Sequence, residues 1–195
     1  MPEMSVLISL LLAGILTDNY VLVNTTGICP FLGVSKKFQQ AMGMSLAVIF
    51  VILCATAVTW PIYNYLLLEF NLTYLQTIVF ILVIAALVQF VEIILKKFLP
   101  PLYKSLGVYL PLITTNCVVL GVANANIEEG LGFISSMVSS LGAGLGFLVA
   151  MLLFAGVRSR IENCPSPKPF KGIPITLVAA AIVALAFGGF ANIGG

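Results

Sequence analysis

Cys29-Pro-Phe-Leu-Gly-Val34 recurs as Cys117-Val-Val-Leu-Gly-Val122, a CxxLGV pattern with its only soft atom in the same place both times. The offset, 117 minus 29, is 88 residues, so the repeat cuts the 195-residue chain nearly in half. Self-similarity at a fixed offset marks two related halves, approximately 1–97 and 98–195, each contributing one thiol.

Hydrophobic residues make up 61% of the chain and charged ones 8%, and mean hydropathy is +1.15. Water is therefore not the solvent for most of this surface, and the chain reads as a single all-α integral membrane domain over residues 1–195. Apolar runs fall near residues 5–23, 41–60, 73–95, 106–123, 131–157 and 173–192. Most approach the ~20 residues that a helix needs to cross hydrocarbon, which predicts six transmembrane segments. The first run follows Glu3 rather than a basic stretch, which argues against a cleaved signal peptide.

Lys36 and Lys37 follow segment 1, Lys96, Lys97 and Lys104 follow segment 3, and Arg158, Arg160, Lys168 and Lys171 follow segment 5. The even loops carry Glu69, and then Glu128 and Glu129. Positive residues mark cytoplasmic loops, so the odd loops face the cytoplasm and both termini lie outside. The net charge of +2 reports topology, and no basic stripe with interleaved aromatics suits a nucleic acid.

Three segments per half make the second half enter the membrane from the opposite side, an inverted repeat whose equivalent residues face each other across the midplane. Cys117 lies 13 residues after Lys104 and 11 before Glu128. If helical, those intervals are roughly 20 Å and 16 Å, which puts the thiol near the bilayer centre and, by symmetry, Cys29 beside it. Asn24-Thr-Thr-Gly27-Ile-Cys-Pro30 and Pro111-Leu-Ile-Thr-Thr115-Asn-Cys117 insert polar and helix-breaking residues into segments 1 and 4. Pro30 and Pro111 are each expected to remove an internal hydrogen bond. Unwound backbone at membrane depth is tolerated where it is buried in protein or lines a cavity, so these stretches are expected to form paired half-helices around a central site.

Two readings of Cys29 and Cys117 stand side by side. Free cysteine often serves as a small buried hydrophobe. The chain also contains no histidine, which leaves thiolate as its soft metal donor. An iron–sulfur cluster usually takes four cysteines, and only two here are related by the repeat, so a partner chain would have to supply the other pair. A disulfide between them is geometrically open, but nothing requires one. Cys54, within segment 2, reads as packing, and Cys164, in the proline-rich Asn163-Cys-Pro-Ser-Pro-Lys-Pro169 connector, reads as having no ligand role.

Gly27-Ile-Cys-Pro-Phe-Leu-Gly-Val-Ser-Lys-Lys37 and Leu110-Pro-Leu-Ile-Thr-Thr-Asn-Cys-Val-Val-Leu-Gly-Val122 resemble the signature segments of the RnfA family, the A-type membrane components of Rnf complexes. The resemblance covers the whole chain, including Val88-Gln-Phe-Val-Glu92 and Phe154-Ala-Gly-Val-Arg158. The E-type component of the sodium-translocating NADH:quinone oxidoreductase shares the plan. The resemblance implies a membrane subunit, not catalytic alone, of a ferredoxin:NAD oxidoreductase that couples electron flow to export of Na⁺ or H⁺ in a prokaryotic inner membrane. It further implies that the cysteines matching Cys29 and Cys117 hold one [2Fe-2S] cluster together with two from RnfE, the homologous Rnf component of opposite topology. The B, C, D and G components of the Rnf complex and membrane lipid would be the remaining partners. The chain carries no GxGxxG fingerprint for a flavin or nicotinamide.

On that reading, the backbone N–H groups of the Gly27 and Asn116 turns and the hydroxyls of Thr26 and Thr115 are candidate donors to cluster sulfur, unless they only satisfy unwound backbone. Asp18 and Asn19 are candidates for an ion path, or else interfacial residues. Glu92 and Lys96 have the i, i+4 spacing of a helix-surface pair. Gly142, Gly144 and Gly146 would allow close helix contact, or alternatively line a cluster cavity. The competing classes are a non-redox secondary transporter, which also uses inverted repeats with broken helices, and a scaffold protein.

Overall fold

A computed structural model describes residues 4–35, 38–70, 73–98, 112–113, 115–161 and 171–191, and the described residues contain no strand. Helix α1 (Met4–Leu12) runs on into a π-helical turn, Ala13–Thr17, and α2 spans Ile28–Val34. Helix α3 (Phe38–Ile62) continues as a π turn, Tyr63–Leu67, and a 3-10 turn, Thr73–Leu75, leads into α4 (Gln76–Phe98). The second half holds α5 (Cys117–Glu128), α6 (Phe133–Ile161) and α7 (Ile173–Ala191).

Among the described residues, three helical stretches are long and apolar enough to cross a membrane alone: Phe38–Leu67 with 30 residues, Thr73–Ile94 with 22 and Phe133–Ile161 with 29. Met4–Thr17, Cys117–Glu128 and Ile173–Gly189 are shorter apolar helices. The described residues are thus all-helical, with several apolar helices, the pattern of a multi-pass membrane protein. The exterior is apolar, unlike that of a water-soluble bundle, and the largely apolar interior also holds polar side chains. Ile78, Ile81, Leu82, Ile182 and Leu185 are exposed, whereas Ser45, Thr56, Asn126, Ser136 and Ser140 are buried. An apolar exterior costs nothing in hydrocarbon, and hydrogen bonding inside replaces hydrophobic drive between helices. Ser45 and Thr59 donate to carbonyls four residues back, those of Ala41 and Ala55, each at 2.8 Å. Thr56 on α3 bonds Ser140 on α6 at 2.7 Å, and Asn126 Nδ2 on α5 donates to the same Ser140 hydroxyl at 3.0 Å.

Helix α6 is the centre of the bundle, with α3, α5, α7 and the π turn after α1 packed on it. Its glycines explain how. A Cβ placed on Gly142 would come within 3.0 Å of the Leu11 carbonyl oxygen, one on Gly144 within 3.0 Å of Ile49, and one on Gly146 would collide with the Gly14 carbonyl. Gly14 answers from the other side, where a Cβ would lie 2.9 Å from the Gly142 backbone. These are the backbone approaches that small residues permit.

Four of the six apolar runs coincide with helices, and runs 1 and 4 differ in instructive ways. The break in segment 1 begins at Asp18, well before Asn24, and α2 has already resumed when the chain reaches Pro30. Pro30 therefore removes no internal hydrogen bond: it is the third residue of α2, among the first N–H groups that lack an intrahelical partner anyway. In segment 4 the helix starts at Cys117 and runs on to Glu128, past the apolar run. Asn126 is held there because α6 supplies acceptors for its Nδ2. Pro111 and Thr114 lie outside the described residues.

Candidate functional site

The break between α1 and α2 is built around one side chain. Asn19 is fully buried, and its Oδ1 accepts from the N–H groups of Val21 at 3.0 Å and Leu22 at 3.3 Å. Its Nδ2 donates to the carbonyls of Ile15 at 3.2 Å and Gly146 at 2.9 Å. All the hydrogen-bonding capacity of the amide goes to backbone, so Asn19 pins the unwound chain to α6. Thr26 then donates both its N–H and its hydroxyl to the Tyr20 carbonyl. Gly27, at φ +76°, supplies the left-handed turn from which α2 starts.

Helix α2 is fastened at its middle and at its C-terminal end. Phe31 stacks on Phe154 of α6 with ring centroids 4.2 Å apart. Arg158, 7% exposed, donates to the Leu32 carbonyl and to Ser35 Oγ, at 2.5 and 2.8 Å. A guanidinium there satisfies a terminal carbonyl and sits favourably at the helix C-terminus.

The second cysteine turn uses a different device. Asn116 caps α5, its Oδ1 accepting from Val118 N–H at 3.2 Å, while its own N–H donates to the Ile113 carbonyl at 3.3 Å. The two turns meet: a Cβ on Gly27 would lie 2.5 Å from Val118 Cγ2 and 3.2 Å from Asn116 Oδ1. Alongside, a Cβ on Gly33 would touch Leu112 Cδ1 at 3.5 Å. The turn just before Cys29 and the turn that carries Cys117 are therefore in direct contact, and both cysteines are exposed free thiols. Neither is buried within its own chain.

A family model described as "Rnf-Nqr subunit, membrane protein" matches residues 7–194. The chain belongs to the Rnf-Nqr family. A relative from Syntrophotalea carbinolica, the A component of an ion-translocating oxidoreductase complex, is 51% identical over 187 residues, 96% of this chain and 97% of the relative. The A component of the Na(+)-translocating ferredoxin:NAD(+) oxidoreductase complex of Acetobacterium woodii is 52% identical over 186 residues, 95% of this chain and 97% of its own length. A further A component of an ion-translocating oxidoreductase complex, from an Azoarcus species, is 52% identical over 190 residues, or 97% and 98% of the two chains.

Within this Rnf-Nqr protein the other candidate residues separate. Asp18 is exposed and lines a cleft of about 270 Å³ with Tyr20, Asn24, Glu129 and Ser139. Thr115 is exposed beside Cys117, and Thr26 has its hydroxyl committed to Tyr20. Cys54 is half-buried and lines an apolar cavity of about 500 Å³ with Phe50, Leu87, Phe90, Glu92 and, from the approach to the second cysteine turn, Ile113. Cys164 lies outside the described residues. Sequence reasoning counted Arg158 only as a topology marker. The signal was its spacing, one turn after Phe154 on the same helix.

Proposed function

We propose that this chain is a membrane subunit of an ion-translocating ferredoxin:NAD oxidoreductase complex, and that Cys29 and Cys117 hold half of a [2Fe-2S] cluster. The observation that carries this is the meeting of two cysteine turns from separate halves of the chain, each bearing a free, exposed thiol. The donor chemistry fits: a cluster takes four thiolates, this chain offers two, and a second chain with the same pattern would complete the set. When bound, the cluster supplies one-electron carriage between the two sides of the membrane. The chain's own residues bring the two turns together and seal the seam between them with Val118 and Phe147.

The partner we infer is RnfE, the homologous Rnf component of opposite topology, within an assembly that also contains the B, C, D and G components. Two inverted three-helix repeats in a prokaryotic inner membrane, with both termini outside, fit the order of elements. Among the described residues, each half has a helix with the cysteine near its start, then a long helix and a further helix. For ion movement, the cleft holding Asp18 and Glu129 is the proposed outer entrance, since carboxylates in a polar recess attract cations. Asn19 would shape that entrance by fixing the backbone around it.

The test is the visible and EPR spectrum of the purified complex carrying each serine substitution in turn. Cys29→Ser and Cys117→Ser should abolish the cluster signal and electron transfer, and Cys54→Ser and Cys164→Ser should leave both. A colourless, iron-free wild-type complex with full activity would support a non-redox transporter instead, and equal effects at all four positions would support a scaffold.

A further inference from the structure

We propose that Asn116 donates its side-chain amide to a sulfur atom of the group held by Cys29 and Cys117, and that this bond raises the reduction potential there. The proposal rests on the cluster reading above and deepens it. Asn116 is 4% exposed. Three of its polar groups are committed: Oδ1 to Val118 N–H at 3.2 Å, the backbone N–H to Ile113 and the carbonyl to Val119 N–H. The fourth, Nδ2, is buried and has no hydrogen-bond partner among the described residues. Leaving such a donor unpaired costs about 1–3 kcal/mol, so its retention calls for an acceptor.

The location limits what that acceptor can be. Asn116 immediately precedes Cys117, and its amide oxygen lies at the seam with Gly27, two residues before Cys29. Capping does not account for the choice of residue, because Ser, Thr or Asp would cap the helix as well and would bring no surplus amide. The feature peculiar to asparagine is the NH₂ group. Two of the donors expected from sequence at these turns are otherwise engaged, since Thr26 Oγ1 bonds the Tyr20 carbonyl and the Asn116 backbone N–H bonds Ile113. Thiolate and sulfide sulfur are acceptors, and hydrogen bonds to them set cluster potential. A donor binds the more negative, reduced form more strongly, so it favours gain of the electron.

The experiment is a redox titration of the assembled complex followed by EPR. Asn116→Ser keeps an oxygen for the cap and removes the amide. The expected result is full iron content with about a tenfold lower reduced-to-oxidised ratio at a fixed potential, equivalent to about 59 mV for a one-electron couple. An intact signal with an unshifted potential overturns this inference and leaves the cluster reading standing. A wild-type complex without the signal overturns both. Should the serine variant fail to assemble, wild-type complex labelled with side-chain ¹⁵N-asparagine decides the matter: hyperfine coupling between the reduced centre and ¹⁵N supports the bond, and its absence overturns it.

Discussion

Replacing Gly27 by alanine adds one methyl group at the point where the two cysteine turns touch. Two costs follow. Gly27 has φ +76°, and an L-residue in that left-handed region loses about 1–2 kcal/mol. The new Cβ would also lie 2.5 Å from Val118 Cγ2, and Val118 is fully buried with no room to retreat. Overpacking of that kind adds about 1–3 kcal/mol. The expected loss is therefore about 2–5 kcal/mol, part conformational and part steric. Val118→Ala separates the parts, because in that background the severest collision is gone and the left-handed strain remains, with only the 3.2 Å approach to Asn116 Oδ1 beside it. The assay is a double-mutant cycle on the detergent-solubilised chain, unfolded by titration with SDS and followed by fluorescence of its single tryptophan, Trp60. A coupling of about 1–3 kcal/mol between the two sites is expected. A neutral Gly27→Ala, or independent effects of the two substitutions, would refute the contact between the turns.

Three further outcomes are expected from the same unfolding measurement. Arg158→Met should cost about 3–5 kcal/mol, because it leaves the Leu32 carbonyl and Ser35 without a charged donor, and it should free α2 enough to lower iron retention in the complex. Asn19→Asp keeps the acceptor for Val21 and Leu22 but cannot donate to Ile15 and Gly146, for an expected loss of about 2–4 kcal/mol. Gly146→Ala should destabilise by about 1–3 kcal/mol through collision with the Gly14 carbonyl, whereas Gly188→Ala, where a Cβ meets nothing within 4 Å, should be close to neutral.

Composition and apolar run length made the membrane class legible, and helices α3, α4, α6 and α7 follow four of the runs closely. The glycines of segment 5 were legible as sites of close helix contact or of a cavity wall, and the backbone approaches at Gly142 and Gly146 are of the first kind. The interruption of segment 1 was visible from its polar residues, but its position was not. It is fixed by the bond from Asn19 to Gly146, 127 residues away, and no local pattern carries that information. The same limit applies to the site. The CxxLGV repeat singled out the two cysteines, whereas their exposure depends on which side of each turn is packed against the rest of the bundle. The unpartnered amide of Asn116 emerges only when its neighbouring donors and acceptors have been assigned.

The most direct test of the shared site is the iron content of the intact complex assembled with a Cys29→Ser, Cys117→Ser chain, compared with wild type. Loss of two iron atoms per complex, the content of one [2Fe-2S] cluster, is the expected result. Unchanged iron would contradict the assignment of these thiols as ligands.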